Sequence, residues 1–343
     1  MASCYTLGEV ANHSSFNDAW VAVDDKVYNI TPFLKSHPGG MAITKEYLGK
    51  DISDVIHTSS VHQHSDTAYA MLQDFHIGYL TKTQRGTKET EAPGSELLAQ
   101  KKWKEEEIVD WSKPMLVQVH RVGNLYDQWI HVPVDKELRL FESNFMEFFS
   151  KSPWWVVPSV WVPVILYILY MSVFGGPSVM PWIPETPRLT YVEVFCYASA
   201  GILLWTLIEY SLHRFIFHAI PPSSSRFLMT MHFMLHGQHH KVPMDPFRLV
   251  FPPVPAAIIV AILYFPAQHF VPLSIGRALL AGGLIGYVCY DLTHYYVHHG
   301  TPTPKSYFAS MKSYHMAHHY RNHNRGFGIS SKLWDVILDT VLH

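Results

Sequence analysis

Apolar stretches in the second half of the chain predict helices that cross a membrane. Four such stretches occur, at 152–184, 191–210, 249–276 and 276–293. The first contains WWVVPSVWVPVILYILYMSVF, which has the length of a spanning helix, about 20 apolar residues. The fourth has thirteen uncharged residues between Arg277 and Asp291, so we expect it to continue beyond the membrane as a cytosolic helix. The pattern therefore predicts four spans arranged as two hairpins.

The first eighty residues follow another pattern, which predicts a small α+β domain. Apolar and polar residues alternate in WVAVDDKVYNI (20–30), and Asp24-Asp25 lies between the two halves as the turn of a hairpin. Helical stretches rich in polar residues follow. In His37-Pro38-Gly39-Gly40 the proline ends a helix, and the glycines allow a tight backbone turn beside a ligand.

Two segments separate this domain from the apolar helices. Residues 81–110 are charged and poor in large apolar side chains, which predicts a flexible tether with some helix near 95–109. Residues 111–152 include ELRLFESNFMEFF, an amphipathic pattern typical of a helix in the membrane interface and equally of an ordinary packed helix. We therefore divide the chain into 6–80, 81–110, 111–152 and 153–343.

The overall composition agrees with a membrane component. Charged residues make up 16% of the chain, below the roughly 25% of soluble domains, and the net charge of −2 gives no reason to expect a nucleic acid partner. Cys4, Cys196 and Cys289 are scattered, as in proteins of a reducing compartment. The N-terminus lacks the basic start and apolar run of a signal peptide, so the first domain is predicted to be cytosolic.

Histidines form the most distinctive chemical pattern. Thirteen of the 23 fall between residues 213 and 319, mainly in HRFIFH, HGQHH, HYYVHH and HMAHH. Residues three or four apart lie on one face of a helix, so each of the last three clusters aims several imidazoles at one point. The side chains of His213 and His218, five residues apart, point less directly to the same side of a regular helix. This pair is therefore expected where a helix ends or bends. Because neutral imidazole is the commonest metal-binding side chain, the clusters predict a metal site.

The distribution of basic residues predicts one orientation. The outer loops, 175–190 and 270–277, carry one basic residue each, whereas the segments after the second and fourth spans carry nine. Those nine are Arg214, Arg226, Lys241, Arg248, Lys305, Lys312, Arg321, Arg325 and Lys332. Since positive residues favour the cytosolic side, all four histidine clusters and the first domain are expected to share the cytosolic face.

Residues 6–80 resemble a cytochrome b5 domain through DAWVAVDDKVYNIT, FLKSHPGG, HSDTA and IGYL. The resemblance implies a b-type haem held between two axial histidines, His37 and His64. His57 and His62 compete with His64 for the second axial position, and a small domain without haem is the alternative. A haem with both axial positions filled carries electrons rather than binding oxygen.

The predicted electron-carrying domain helps to identify the metal that the histidines bind. Ten clustered histidines suffice for two ions with four or five nitrogens each, whereas a structural zinc needs four ligands and usually includes cysteine. Zinc has no redox chemistry, so two iron ions that activate dioxygen are predicted, although purified protein could contain zinc. Glu209, four residues before His213, and Asp291, three before His294, are predicted to orient imidazoles. The alternative is that both are ordinary polar residues at helix ends.

The chain as a whole resembles the sphingolipid fatty acid 2-hydroxylases of the fatty acid hydroxylase superfamily. The resemblance rests on EYSLHRFIFH, MHFMLHGQHHKVPMDPFRLVFPPVPA, GYVCYDLTHYYVHHG, YHMAHH and GFGISSKLWD, with WSKPM and YDQWIHVPVD nearer the N-terminus. It implies 2-hydroxylation of fatty acyl or ceramide substrates with dioxygen, electrons from a flavoprotein reductase and a nicotinamide, and a place in the endoplasmic reticulum membrane. Its metal-binding residues fall on His213, His218, His236, His239, His240, His294, His298, His315, His318 and His319.

Other histidines and other functions remain as alternatives. His232, His269, His299 and His323 are predicted not to be ligands, although His299 extends the third cluster. Acyl-lipid desaturases, sterol oxidases and carotenoid hydroxylases share related histidine boxes, but the flanking GQHHKVP and GFGISSKLW favour the hydroxylases. A membrane metal-binding or haem electron-relay protein without oxygenase activity is the alternative of a different class.

Overall fold

A five-stranded sheet forms the centre of the N-terminal domain. The structure is a computed structural model that describes residues 3–34, 37, 44–58, 66–81, 105–175, 188–303 and 305–342. The strands are β1 (Cys4–Tyr5), β2 (Ser14–Ser15), β3 (Asp18–Val23), β4 (Lys26–Asn29) and β5 (His76–Leu80). Their order is β1-β5-β4-β3-β2, with β1 parallel to β5 and the other pairs antiparallel. The helices that accompany them are α1 (Leu7–Asn12), α2 (Ser53–Thr58) and α3 (Asp66–Leu72), with short 3₁₀ turns at Lys45–Tyr47 and Gln73–Phe75.

The predicted hairpin and the predicted α+β class are confirmed. Val23 pairs with Lys26 across a two-residue turn, in which Asp24 and Asp25 adopt φ values of 49° and 61°. Positive φ at both central residues makes the turn twist in the same sense as the strands it joins. Aspartate tolerates this conformation better than most residues because its short side chain bonds locally.

The rest of the described chain is helical. Its shorter helices are α4 (Glu105–Ile108), α5 (Tyr126–Ile130), α6 (Asn144–Phe149), α9 (Arg226–His232), α10 (Gln238–Lys241), α13 (Tyr307–Tyr320) and α14 (Leu333–Ile337). The long apolar helices are α7 (Val156–Phe174), α8 (Tyr191–Leu212), α11 (Pro253–Ala267) and α12 (Leu273–His299). Two 3₁₀ turns, Met115–Val117 and Val119–Leu125, precede α5.

Among the residues that the structure describes, three helices are long and apolar enough to cross a membrane: Val156–Phe174, Tyr191–Phe217 and Leu273–His299. The third predicted span, 249–276, contains the 15-residue helix α11, about 22 Å long at 1.5 Å per residue, followed by the first four residues of α12. A hydrocarbon core of about 30 Å needs more, so the count of four spans is not confirmed. The fourth predicted span is part of α12, which runs without a break to His299, as expected for a span that continues into a further helix.

The contact between α8 and α12 is close because both helices use glycine there. A Cβ atom added to Gly282 would lie 1.9 Å from the carbonyl oxygen of Ala198, and one added to Gly201 would lie 2.2 Å from that of Leu279. Small residues let helix backbones approach within a membrane. This contact fixes the relative position of the ends of α8 and α12, where the first and third histidine clusters lie.

The segment before α7 is mainly packed protein. Trp129 and Ile130 of α5 are buried against Met229 and Phe233, just before the second histidine cluster. The short helix α6 differs, since its aromatic side chains are exposed: Phe145, Phe148 and Phe149. Helix α5 is thus a packed helix outside the amphipathic stretch, whereas for α6, which lies within it, placement in a membrane interface stays a prediction.

Candidate metal centre

Two turns of π-helix carry the first and second histidine clusters. They are His213–Phe217, directly after α8, and Phe233–Gly237, directly after α9. In the first turn the amide of His218 donates to the carbonyl of His213 at 3.1 Å, the i to i+5 bond that defines a π-helix. That geometry turns two residues five apart toward one side, and their Nε2 atoms lie 3.2 Å apart. The bend predicted from the HxxxxH spacing is thus a π-turn.

The first histidine group combines the first two clusters. Its members are His213, His218, His236 and His240, whose ligand atoms all lie within 4.8 Å of one another. Nε2 of His236 lies 3.1 Å from Nε2 of His213 and 3.1 Å from Nε2 of His240. Nε2 of His318, from the fourth cluster, lies 3.1 Å from Nε2 of His218, so His318 adjoins this group as a fifth member.

The second histidine group combines the last three clusters. Its members are His239, His294, His298, His315 and His319, all buried and again within 4.8 Å of one another. Nε2 of His315 is central, at 3.0 Å from His294, 2.9 Å from His298 and 3.0 Å from His319. The structure therefore brings all ten predicted ligands into two adjacent groups of five.

The nitrogen spacing fits metal ligation better than hydrogen bonding. A neutral imidazole nitrogen either donates or accepts, yet Nε2 of His218 has three other Nε2 atoms, of His213, His240 and His318, within 3.2 Å. Metal–nitrogen bonds of about 2.0–2.1 Å place two ligands about 3 Å apart when the bonds meet near a right angle. Imidazole also suits iron, copper and zinc. The donor set of each group therefore fits one transition metal ion.

Backbone carbonyls set the tautomers of two ligands. Nδ1 of His213 donates to the carbonyl of Phe327 at 2.6 Å, and Nδ1 of His318 donates to that of Arg325 at 2.8 Å. Because a carbonyl only accepts, Nδ1 carries the proton, and the Nε2 lone pair faces the group. Asp335 in turn accepts from the amide of Phe327 at 3.0 Å.

Asp335 was missed by sequence reasoning. It is buried, and it also accepts from the amide of Gly328 at 2.7 Å and the hydroxyl of Thr340 at 2.7 Å. The only signal was its place at the end of GFGISSKLWD, a stretch that carried the family resemblance without an assigned role.

The surroundings keep these imidazoles neutral. Burial lowers the pKa of the ligands outside the membrane helices well below the ordinary value for histidine. Neighbouring imidazoles lower these pKa values further. The ligands concerned are His218, His236, His239, His240, His315, His318 and His319. Metal binding requires the neutral form, so the fold presents the ligands ready for a cation.

The histidines predicted to be non-ligands lie outside both groups. Nδ1 of His232 lies 2.8 Å from the hydroxyl of Tyr126, and the ring of His299 packs against Tyr295 at 4.9 Å. His269 is exposed beyond the end of α11. His323 stacks on His131 with ring centroids 3.4 Å apart, and Asp127 completes a third group of possible ligands beside the first. Sequence reasoning missed this third group because His323 is distant in the chain from Asp127 and His131, which are four residues apart.

The two predicted acids lie beside the metal centre, but the hydrogen bonds described for them join them to residues other than the histidines. Glu209 is buried and accepts from the hydroxyl of Ser330. Asp291 is buried and accepts from the amide of Phe251 at 3.2 Å. Their predicted role in orienting imidazoles stays a prediction, since the orienting contacts described for His213 and His318 come from backbone carbonyls.

A largely apolar cavity leads to the metal centre. Its lining includes His236 of the first group and His239 and His294 of the second. Glu209, Tyr290, Asp291 and Arg248 contribute polar groups, and the remaining walls are mainly apolar, including Leu249, Val250, Phe251, Ile259 and Val260. The apolar walls favour burial of an apolar ligand chain, and the histidines bring metal-binding groups to the same cavity.

A buried ion pair fixes the wall of this cavity. Arg248 forms a short contact with the carboxylate of Glu147 and donates to the hydroxyl of Ser150 at 2.8 Å. Glu147 also accepts from the amides of Leu140 and Phe141, each at 3.0 Å. The pair joins α6 to the segment after the second cluster, a long-range relationship that the sequence did not indicate.

The predicted haem ligands are described only in part. The ring of His37 lies 5.7 Å from that of Phe33. His64 and His62 lie outside the described residues, and only the backbone of His57 is described. The axial pair His37 and His64 therefore stays a prediction.

Comparison with known proteins supplies the context. Residues 6–81 match the family model of the cytochrome b5-like heme/steroid binding domain, and residues 198–340 match that of fatty acid hydroxylase. The chain is 38% identical to the fatty acid 2-hydroxylase of Homo sapiens over 99% of this chain and 95% of that protein. It is 36% identical to the ceramide very long chain fatty acid hydroxylase SCS7 of Saccharomyces cerevisiae over 97% of this chain and 93% of that protein.

One solved structure is similar over the helical part. It is that of full-length scs7p, in which only the hydroxylase domain is visible, at 36% identity and a TM-score of 0.61. The similarity covers 70% of this chain and 87% of that one. A cytochrome b5-like domain is thus followed here by a helical hydroxylase domain with a histidine-rich centre.

Proposed function

The chain belongs to the fatty acid 2-hydroxylase family, and from this we propose that it hydroxylates the carbon next to the carbonyl of long-chain acyl groups in ceramides and related sphingolipids. It is a hydroxylating oxidoreductase. The overall reaction consumes one dioxygen, two electrons and two protons, places one oxygen atom in a C–H bond and releases the other as water.

The observation that carries the proposal is that members of both histidine groups line the apolar cavity. His236, His239 and His294 belong both to the groups and to the cavity wall, so a bound acyl chain reaches the metal centre. Relatives named for the same acyl position include the dihydroceramide fatty acyl 2-hydroxylase FAH2 of Arabidopsis thaliana, 41% identical over 68% of this chain.

In this proposal the ten histidines hold two iron ions, five per group. His213, His218, His236, His240 and His318 hold one, and His239, His294, His298, His315 and His319 hold the other. Iron pairs supply dioxygen activation, and a haem held by His37 and His64 supplies electrons one at a time. Zinc is also compatible with the donor set, and its presence in a preparation would make that preparation inactive in oxidation.

The chain's own residues would position the substrate and keep water away. Leu249, Val250, Ile259 and Val260 line the path of the acyl chain, and their apolar side chains favour its burial. Tyr290 and Asp291 line the same cavity close to His294 in the chain, and they would bind the carbonyl and amide region of the substrate. Glu209 and Asp291 remain the acids proposed to influence the nearby imidazoles.

The same proposal assigns surroundings and partners. The enzyme would lie in the endoplasmic reticulum membrane, with four membrane helices and with the haem domain and the metal centre on the cytosolic face. A flavoprotein reductase would draw electrons from a nicotinamide and reduce the haem. The division at 6–80, 81–110, 111–152 and 153–343 would then separate electron carrier, tether, pre-membrane segment and hydroxylase.

Mass spectrometry of sphingolipids tests the function. The chain is expressed in cells that lack their own 2-hydroxylase, and acyl chains are analysed for an added oxygen at carbon 2. We expect a 2-hydroxy series with the native chain and with His269→Ala, and none with His239→Ala. New double bonds would instead indicate a desaturase, and a metal- and haem-loaded protein that consumes no dioxygen would indicate an electron relay.

A further inference from the structure

The two domains touch through a small apolar contact. Met71, at the end of α3 in the haem domain, is buried together with Met316 and Tyr320 of α13 in the hydroxylase domain. Phe33 of the haem domain packs against the same cluster. We refer to these four residues as the interdomain cluster.

The interdomain cluster lies between the two proposed cofactor sites. On the haem side, the ring of Phe33 is 5.7 Å from that of His37, a predicted axial ligand. On the metal side, the ring of Tyr320 is 6.3 Å from that of His319, and Met316 directly follows His315. Both histidines belong to the second group. A continuous set of packed side chains therefore joins the haem pocket to the second group.

Resting on the function proposed above, we propose that the interdomain cluster is the docking surface through which the haem domain delivers electrons, and that they enter at the second histidine group. In each delivery a haem held by the first domain would pass from ferrous to ferric, and a metal ion held by the second group would gain that one electron. Two deliveries supply the two electrons of one hydroxylation, and the flavoprotein reductase restores the ferrous haem between them.

The character of the contact agrees with repeated docking. Redox partners that exchange electrons use small interfaces, below about 1,200 Å², because they must also separate. The haem domain must alternate between the reductase and the hydroxylase. A covalent connection, the segment predicted as a tether at 81–110, raises its effective concentration at the cluster, so a small apolar contact is sufficient.

A substitution on the haem side tests the proposal kinetically. In full-length protein loaded with haem and metal, Met71→Glu places a carboxylate in the apolar contact, which weakens docking. We expect haem re-oxidation, followed by its absorbance after mixing with dioxygen and acyl substrate, to slow by about tenfold or more. Met71→Leu keeps the apolar contact and the rate. Leu7→Glu, the same change at an exposed site of the haem domain, also keeps the rate.

A cross-linking measurement on the same loaded protein provides a readout that does not depend on enzymatic activity. With Cys4, Cys196 and Cys289 replaced by serine, the pair Met71→Cys and Met316→Cys is treated with a short bis-maleimide. We expect an intramolecular bridge, identified by peptide mass spectrometry, and none for the pair Leu7→Cys and Met316→Cys. If Met71→Glu impairs haem binding, this measurement decides the question.

The outcomes separate docking from function. Equal cross-linking of the two pairs, or an unchanged haem re-oxidation rate in Met71→Glu with intact haem and metal, overturns the docking surface. A wild-type chain that forms the specific bridge but makes no 2-hydroxy product would leave the surface in place and contradict the hydroxylase function instead.

Discussion

His213 and Phe327 are joined by a hydrogen bond of 2.6 Å from the imidazole Nδ1 to the backbone carbonyl oxygen. Asp335 holds the same backbone, since its carboxylate accepts from the amides of Phe327 and Gly328. The carboxylate therefore acts on His213 through the backbone of Phe327. It positions a proposed metal ligand without touching the metal site.

We predict that Asp335→Asn weakens metal binding. The amide retains one acceptor oxygen in place of two, so one of the two backbone amides loses its partner, and the loop that orients His213 loosens. Loss of such a supporting contact typically costs about 10–100-fold in metal affinity. Metal retention against increasing chelator measures the effect, with Asp339→Asn, an exposed aspartate four residues away, as the control. Equal chelator curves for Asp335→Asn and wild type would contradict this role.

The division into two groups predicts selective metal loss. His240→Ala removes a member of the first group, and His315→Ala removes the central member of the second. We expect each variant to retain about one metal ion per chain, against about two in wild type, because the other five nitrogens remain in place. Elemental analysis of purified protein provides the count. His299→Ala should retain both ions, and a variant that loses both would indicate a single coupled site.

Two of the HH dipeptides show how much of this centre could be predicted from the sequence. His239 and His240 are adjacent in the chain yet belong to different groups, as do His318 and His319. Successive residues of a helix point about 100° apart, so each of these two HH dipeptides serves both groups, whereas His299 of the third HH dipeptide belongs to neither. The cluster spacing identified the ten histidines, but their division depends on how four helix ends meet in space.

Long-range contacts explain what the sequence did not predict. Glu147 and Arg248 are about a hundred residues apart, and neither stands in a histidine cluster. Similarly, hydropathy marked 249–276 as a span, but Pro252 at the start of α11 and the turn after Ala267 shorten the helix to 15 residues. Apolar composition is a local property, whereas partner choice and helix length depend on the whole fold.

The buried pair leads to a stability prediction. Arg248→Met leaves the Glu147 carboxylate without its guanidinium, and breaking a buried pair costs about 3–5 kcal/mol. Each kcal/mol lowers Tm by about 2–4 °C in a domain of roughly 150–250 residues, so thermal unfolding of the hydroxylase domain in detergent should detect the change. Lys151→Met is the control, since Lys151 is exposed and 3.9 Å from the same carboxylate.

The double variant distinguishes charge from packing in this pair. Glu147→Leu with Arg248→Met removes both charges, so it should recover part of the Tm lost in Arg248→Met alone. Recovery remains partial because the amides of Leu140 and Phe141 lose their acceptor. A double variant less stable than Arg248→Met would show that the isolated carboxylate is not the source of the loss.

His323 supplies a pH prediction. Burial, with the neighbouring His131, lowers the pKa of His323 to about 4, and Asp127 acts in the opposite sense. Because an unfolded histidine binds its proton near pH 6.5, the unfolded state is favoured as the pH falls from about 6.5 toward 4. His323→Gln removes this contribution, so Tm should fall less between about pH 7 and pH 5 than in wild type. Exposed His269→Gln is the control, and an unchanged pH dependence in His323→Gln would contradict the prediction.

The proposal that one domain carries electrons and the other hydroxylates the substrate predicts the effect of His37→Ala. Removal of an axial ligand should abolish the haem absorbance, because a b-type haem is held by its axial histidines and the surrounding pocket rather than by covalent bonds. Both metal ions should remain, since the ten proposed ligands lie outside the haem domain. Formation of 2-hydroxy product should fall to background for lack of electrons.

A matched histidine of the same domain controls for indirect damage. His13→Ala removes an imidazole that stacks on Trp20 with ring centroids 3.7 Å apart, and it should leave the haem absorbance, metal content and product unchanged. Absorbance spectra, elemental analysis and sphingolipid mass spectrometry are made on the same preparations. Loss of both haem and metal in His37→Ala would refute the separation into an electron-carrying domain and a hydroxylating domain, because the two sites would then depend on one fold.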